Sequence, residues 1–78
     1  MPEGLSSIEQ QTDHLFRQAS GRVVAVLTRQ FGVDKIEDIL DAVQDAFEAA
    51  LIRWRFSGVP NVPEAWLLTV ARRKLINQ

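Results

Sequence analysis

The residues best suited to chemistry in this sequence of 78 residues are charged side chains, and one group of them is acidic. Four carboxylates follow one another at steps of three, four and three, which places them in one stripe along a helix, with an amide beside them. This acidic stripe comprises Asp38, Asp41, Gln44, Asp45 and Glu48. Carboxylates on an exposed helix lack the apolar pocket that general acid-base catalysis needs. The stripe is therefore either a solvated face or a surface for a basic partner protein.

A second group is basic and surrounds a loop that contains two prolines and a glycine. Its members are Arg53, Arg55, Arg72, Arg73 and Lys74. Cations spread along a face can follow the phosphates of a nucleic acid, and aromatic rings near them can hold an unpaired base by stacking. An aromatic ring at helical spacing is more often a core residue, however. We expect a core position for Trp54 and for most of Phe47, whereas both roles stay open for Phe56 and Trp66.

Composition excludes most enzyme and metal chemistry. The chain has no cysteine and a single histidine, His14, which lies beside Asp13 on the polar side of its helix. A Cys/His metal site and thiol catalysis are therefore excluded, and no cofactor or small-molecule substrate is expected. The longest apolar run, 23–27, is far shorter than the roughly 20 residues of a membrane span, and the N-terminus lacks the features of a signal peptide. We expect a cytoplasmic protein that is not an enzyme.

The formal net charge of -1 conceals an uneven distribution. Residues 1–52 contain nine acidic and four basic residues, whereas residues 53–78 contain one acidic and five basic residues. A near-neutral net charge argues against nucleic-acid binding, but this uneven distribution allows one surface for a protein and another for DNA.

Three helices must position these groups, because apolar residues recur at steps of three and four in three segments. We predict helices at about 7–31, 35–55 and 63–78, with a loop at 56–62, in an all-α, compact three-helix bundle with room for a short extra turn. The apolar positions are Leu15, Phe16, Ala19, Val23, Val26 and Leu27; Ile36, Ile39, Leu40, Val43, Phe47, Ala50, Leu51 and Trp54; and Trp66, Leu67, Leu68, Val70, Ala71, Leu75 and Ile76.

Residues at the predicted helix ends suggest specific caps. Ser6 with Glu9 and Asp34 with Glu37 have the spacing of capping boxes for the first and second helices. Gly21 lies inside the first helix at a cost of about 1 kcal/mol relative to alanine, and we interpret it as a point of close helix contact.

Two segments carry a resemblance to a known family. Residues 38–47, DILDAVQDAF, and residues 65–73, AWLLTVARR, occur in this order on either side of the Gly/Pro loop, after a helix that includes Leu15 and Phe16. Together they resemble region 2 of bacterial sigma factors, in the extracytoplasmic-function class of the sigma-70 family. The resemblance covers nearly the whole chain.

This resemblance implies a helical bundle that binds the clamp helices of the largest RNA polymerase subunit and captures the unwound minus-ten promoter element. The acidic stripe would contact the polymerase, and the loop, 56–63, would accept a base flipped out of the non-template strand. The residues expected to bind DNA are Arg53, Arg55, Phe56, Ser57, Asn61, Trp66, Arg72, Arg73, Lys74 and Asn77. The family usually has Asn at the position of Arg73 and often Asp at that of Asn77, so the resemblance implies DNA binding without implying which base is captured.

Two other functions fit the same residues. A sigma-like helical domain could bind polymerase or an anti-sigma factor without recognising DNA. A helix-turn-helix repressor fits less well, because the loop is longer than that motif's usual turn of about 3 to 4 residues. The third helix reaches Gln78 without a cap, so we expect the chain to be one domain, 1–78, of a longer protein, with the C-terminal region 4 domain absent from it.

Overall fold

The computed structural model describes the backbone from Glu3 to Asn77 and the side chains of His14 and of residues 17–77. This part of the chain forms three α-helices: α1 (Glu3–Phe31), α2 (Ile36–Ser57) and α3 (Pro63–Ile76). A short 3-10 turn, Val33–Lys35, joins the first two, and no strand occurs in this part. The all-α, three-helix prediction is confirmed, and the short extra turn is the 3-10 segment.

The beginning of α1 differs from the prediction, because the helix starts at Glu3 rather than near residue 7. The side chains of Ser6 and Glu9, which we predicted to cap it, lie outside the described residues. So do those of Leu15 and Phe16.

The predicted capping box at the start of α2 is wrong. The helix begins at Ile36, and no side chain forms a capping hydrogen bond there or at the preceding turn. Instead the 3-10 turn uses the backbone: the Lys35 N–H donates to the Gly32 carbonyl at 3.1 Å, and the Ile36 N–H donates to the Val33 carbonyl. These bonds satisfy donors that a side-chain cap would otherwise have to satisfy.

Glycine ends both of the first two helices. Gly32 and Gly58 have φ angles of 97° and 80°, a region that residues with a side chain rarely adopt. The Gly58 N–H donates to the Trp54 carbonyl at 3.0 Å, so α2 continues to Ser57, two residues beyond the predicted end. The loop is correspondingly shorter, at 58–62.

Our interpretation of Gly21 is wrong. It is exposed, and within the described part of the chain a Cβ added there would meet no atom within 4 Å outside its own helix. Alanine supplies the small side chains of the core instead, since five of the ten buried hydrophobic residues among the described side chains are alanine. Small side chains in the contact let helices approach closely. The buried residues are Ala19, Val23, Leu27, Ile39, Ala42, Val43, Ala46, Ala50, Leu67 and Ala71.

Two of the predicted apolar positions on α2 are not in the core. Leu40 and Leu51 are 51% and 57% exposed. They lie at the edges of the apolar face, beyond the reach of the other two helices. Ile76, at the end of α3, is also exposed. The core therefore uses a narrower part of each helix than the periodicity indicates.

Two polar pairs define how α1 and α3 lie. Arg22 forms an ion pair with Glu64, and the Arg72 Nε donates to the Gln30 Oε1 at 3.1 Å. Each pair joins residues 42 apart in the sequence. The second pair lies eight residues further along both helices than the first. α1 and α3 therefore run side by side in the same direction.

Candidate polymerase and nucleic-acid interface

α2 and α3 run in opposite directions, and two contacts between them establish this. Trp54 and Trp66 meet edge to face, with ring centroids 5.3 Å apart and an interplanar angle of 65°. Near the C-terminal end of α3, the Lys74 Nζ lies 3.9 Å from the Asp45 Oδ2. As the residue number rises on α3, it falls on α2. The two helices therefore form the walls of a shared groove.

This basic groove has a volume of about 510 Å³. It brings together five of the ten residues that we predicted to bind DNA. The lining residues are Asp45, Ala49, Arg53, Trp66, Val70, Arg73, Lys74 and Asn77. Three cations and one carboxylate give the groove a positive balance, which suits a phosphate chain.

Trp66 occupies a position that is compatible with both of the roles left open for it. It is half-buried and packs against the core, yet it also lines the basic groove. Trp54 is half-buried and packs against the core, as expected, and its buried indole N–H has no acceptor among the described residues. The two rings thus form an edge-to-face pair, of which Trp66 is accessible from the basic groove.

Asp45 belongs to two surfaces. All five residues of the acidic stripe are exposed, which both interpretations of the stripe require. Asp45 also lines the basic groove, where it lies near Lys74. Both side chains are about half exposed, and ion pairs of this kind contribute little to stability. The acidic stripe and the basic groove therefore share a border rather than occupying opposite faces.

A second cavity, the loop cavity, lies between α1, the loop and the start of α3. Its volume is about 440 Å³, and its walls are mostly apolar. The lining residues are Gln18, Ala19, Arg22, Trp54, Val59, Asn61, Val62, Pro63, Glu64 and Leu67. Asn61 is its only member among the residues that we predicted to bind DNA.

Sequence reasoning missed the contribution of α1 to this cavity. Gln18, Ala19 and Arg22 form one wall. In the sequence, Gln18 and Arg22 indicate no more than a solvated helix face. No local pattern identifies a contact between residues 42 apart. The sole sequence signal for this contact is that Glu64 is an isolated acidic residue in the basic part of the chain, which is consistent with a basic partner.

The end of α2 projects from the bundle. Phe56 is 87% exposed, so it is not a core residue. Arg55 and Ser57 beside it are exposed as well, and the Ser57 Oγ donates to the Arg53 carbonyl at 3.0 Å. None of these three side chains lines either cavity. They form an exposed tip next to the basic groove.

Arg72 lies apart from its neighbours. Its Nε donates to Gln30 on α1, and it is half-buried on that side of α3. Arg73 and Lys74, the next two residues, lie further around α3 and line the basic groove. The predicted cluster of three cations is therefore divided by α3 itself.

Other kinds of site find no support in the described residues. Among them, no group of His, Cys, Asp or Glu side chains could hold a metal ion. His14 is exposed. Within the same part of the chain, none of the helices combines the length and the apolar character that crossing a membrane requires.

The chain matches the family described as Sigma-70 region 2 over residues 15–78. No curated protein and no solved structure matches it. The match includes the acidic stripe, the basic groove, the loop and the part of α1 that lines the loop cavity. The family consists of transcription factor domains that interact with RNA polymerase and promoter DNA in transcription initiation, not of enzymes. The chain belongs to the sigma-70 region 2 family.

Proposed function

We propose that this chain is the region 2 domain of an extracytoplasmic-function sigma factor, and that it binds the polymerase clamp helices and opens the minus-ten promoter element. The observation that carries the proposal is the basic groove. It combines cations with an accessible indole, which is what a single DNA strand requires. We further propose that the three helices act as one domain.

The basic groove is suited to the backbone of the non-template strand. Arg53 on α2 faces Arg73 and Lys74 on α3 across it, so phosphates in the groove would meet cations from two sides. Trp66 offers a wall on which a base can stack. Stacking on an aromatic side chain is worth about 1 to 3 kcal/mol per base and does not depend on base identity.

The loop cavity is suited to a base that leaves the stack. Flipping a base out of the duplex costs about a few kcal/mol, and a mostly apolar cavity with few polar groups can return part of that cost. Asn61 provides an amide that can read a base edge, in a cavity whose apolar walls include Trp54, Val59 and Val62. The prolines of the loop restrict its backbone, which lowers the entropy that binding must remove.

The acidic stripe is suited to the clamp helices, which form a basic coiled coil. Asp38, Asp41 and Glu48 are exposed and gain nothing from partners within the described residues. A row of like charges on a helix is unfavourable in the free domain. A basic partner would relieve that repulsion, so charge complementarity favours this surface for the polymerase.

Salt dependence tests the proposal. A labelled single strand with the non-template minus-ten sequence should bind the domain weakly, with an affinity that falls steeply as salt rises. Lys74→Ala should reduce the slope of log affinity against log salt by about 0.7 to 1. Lys35→Ala, which removes the same charge from the distant 3-10 turn, should leave the slope unchanged.

Two outcomes would contradict the proposal. No binding at low salt by the folded domain would favour the alternative, a domain that binds polymerase or an anti-sigma factor without DNA. Tighter binding to duplex than to single-stranded DNA would favour a repressor.

A further inference from the structure

An ion pair borders the loop cavity on the side of α1. Arg22 reaches from α1 to Glu64 on the first turn of α3, and both residues line the cavity. Their side chains are 64% and 35% exposed. An exposed ion pair contributes little to stability, so folding alone gives a weak reason for this contact.

The position of Glu64 gives the contact a second consequence. Glu64 follows Pro63, the first residue of α3, and no side chain caps this helix. Its first turn is held by the backbone, with the Ala65 and Trp66 N–H groups donating to the Val62 carbonyl at 3.1 and 3.3 Å. Val62 is an exposed loop residue that also lines the cavity. A contact that fixes Glu64 therefore also restricts the loop, because the first turn of α3 is hydrogen-bonded to Val62.

A second contact fixes the alignment of the same two helices. Gln30 and Arg72 meet at the same sequence offset, eight residues further along each helix, which corresponds to about 12 Å. Two contacts in one register favour a single alignment of α3 against α1. The Arg22–Glu64 pair is the one of the two that lies at the cavity.

We propose that Arg22 and Glu64 are positioning residues for DNA recognition. The pair holds the first turn of α3, and with it the loop, against α1, so that the loop cavity keeps the shape that accepts a base. This inference rests on the proposed function, since it assigns a role in the same site.

Charge reversal separates positioning from simple electrostatics. Arg22→Glu and Glu64→Arg should each weaken binding of the single-stranded minus-ten oligonucleotide by about twofold to fivefold, and the double reversal should restore it. Glu64→Arg decides the matter, because it adds positive charge and yet should bind DNA less well. Tighter binding by this variant, or a double variant as weak as the single ones, would overturn the inference.

Arg29→Glu is the matched control. Arg29 is exposed on α1 and has no ion pair among the described side chains, so it carries the same change of charge without the contact. Arg29→Glu should weaken DNA binding by the same factor in the original domain and in the Glu64→Arg variant. If charge reversal unfolds the domain, Arg22→Gln and Glu64→Gln serve in its place and should weaken binding in the same direction.

A readout without DNA distinguishes failure of the inference from failure of the proposed function. Trp54 lines the loop cavity and is the one remaining tryptophan in a Trp66→Phe background. Acrylamide should quench Trp54 more strongly in each single reversal and at the original level in the double reversal. Equal quenching in all variants would overturn the inference. Changed quenching without DNA binding in any protein would retain the positioning role and reject the function.

Discussion

The two halves of α2 differ in how they meet the rest of the bundle. Residues 36–50 contain all five of its buried side chains, whereas residues 51–57 contain none. In the second half, Trp54 is half-buried and every other side chain is exposed. The first half carries the acidic stripe on its outer face, and the second carries Arg53, Arg55 and Phe56.

We infer from this difference that α2 separates its core contacts from its proposed DNA-binding side chains along its length. The first half is held by the core, so its outer face presents carboxylates in a fixed row. The second half extends past the core, and its cations and aromatic ring stay accessible at little cost in packing. Changes in the first half should therefore affect folding or polymerase binding, and changes in the second should affect DNA binding.

The largest expected effect comes from comparing two isoleucines. Ile39 is 0% exposed and Ile52 is 65% exposed. Ile39→Ala should destabilise the domain by about 2 to 5 kcal/mol, because it leaves a cavity in the core. Ile52→Ala should change stability by less than about 0.5 kcal/mol. Urea denaturation measures both, and equal midpoints for the two variants would remove the distinction between the halves.

Phe56→Ala should affect DNA without affecting the fold. Loss of an aromatic ring that stacks on a base weakens single-strand binding by about 1 to 3 kcal/mol. The melting temperature should not change, because the ring is 87% exposed. Leu40→Ala, which removes an exposed apolar side chain from the first half, is the control and should leave DNA binding intact. A lower melting temperature for Phe56→Ala would mean that the tip supports the fold.

Asp41→Lys should weaken binding to the polymerase clamp helices by about 1 kcal/mol or less, as expected for an exposed ion pair. Its thermal stability should stay the same or rise slightly, since the change relieves repulsion within the stripe. Asp34→Lys makes the same change of charge outside the stripe and should bind normally. Reduced stability with normal binding would show that the stripe is only a solvated helix surface.

The smallest expected effect lies outside both halves of α2, at Gly21. Gly21→Ala should stabilise the domain by about 0.4 to 1 kcal/mol, because the site is helical, exposed and open. DNA binding should stay as it is. Thermal denaturation provides the measurement, and destabilisation would indicate that a hidden contact requires glycine here.

The sequence predicts the elements well and the contacts between them poorly. Periodicity identifies the three helices because it reflects burial within one helix. It does not reveal how wide the buried face is, which depends on the neighbouring helices, so Leu40 and Leu51 were expected in the core. The 3-10 turn replaced the side-chain caps expected at Asp34 and Glu37 because backbone donors found nearer acceptors.

Local sequence patterns also could not predict that α3 divides the basic residues of the candidate site between two of its sides. Arg72 and Arg73 are adjacent in the sequence but about 100° apart around the helix. Arg72 therefore contacts α1, whereas Arg73 lines the basic groove. Knowing which neighbour covers which side of α3 requires the tertiary structure. The same holds for Arg22, whose partner lies 42 residues away.

The end of α2 at Gly58 also has a consequence for chirality. Its φ of 80° and ψ of 168° are the mirror image of the extended conformation that an L-residue prefers. These dihedral angles suit a D-alanine, whereas an L-alanine would be strained. A chain of 78 residues is within reach of chemical synthesis, and D-alanine at position 58 should stabilise the domain by restricting the unfolded chain.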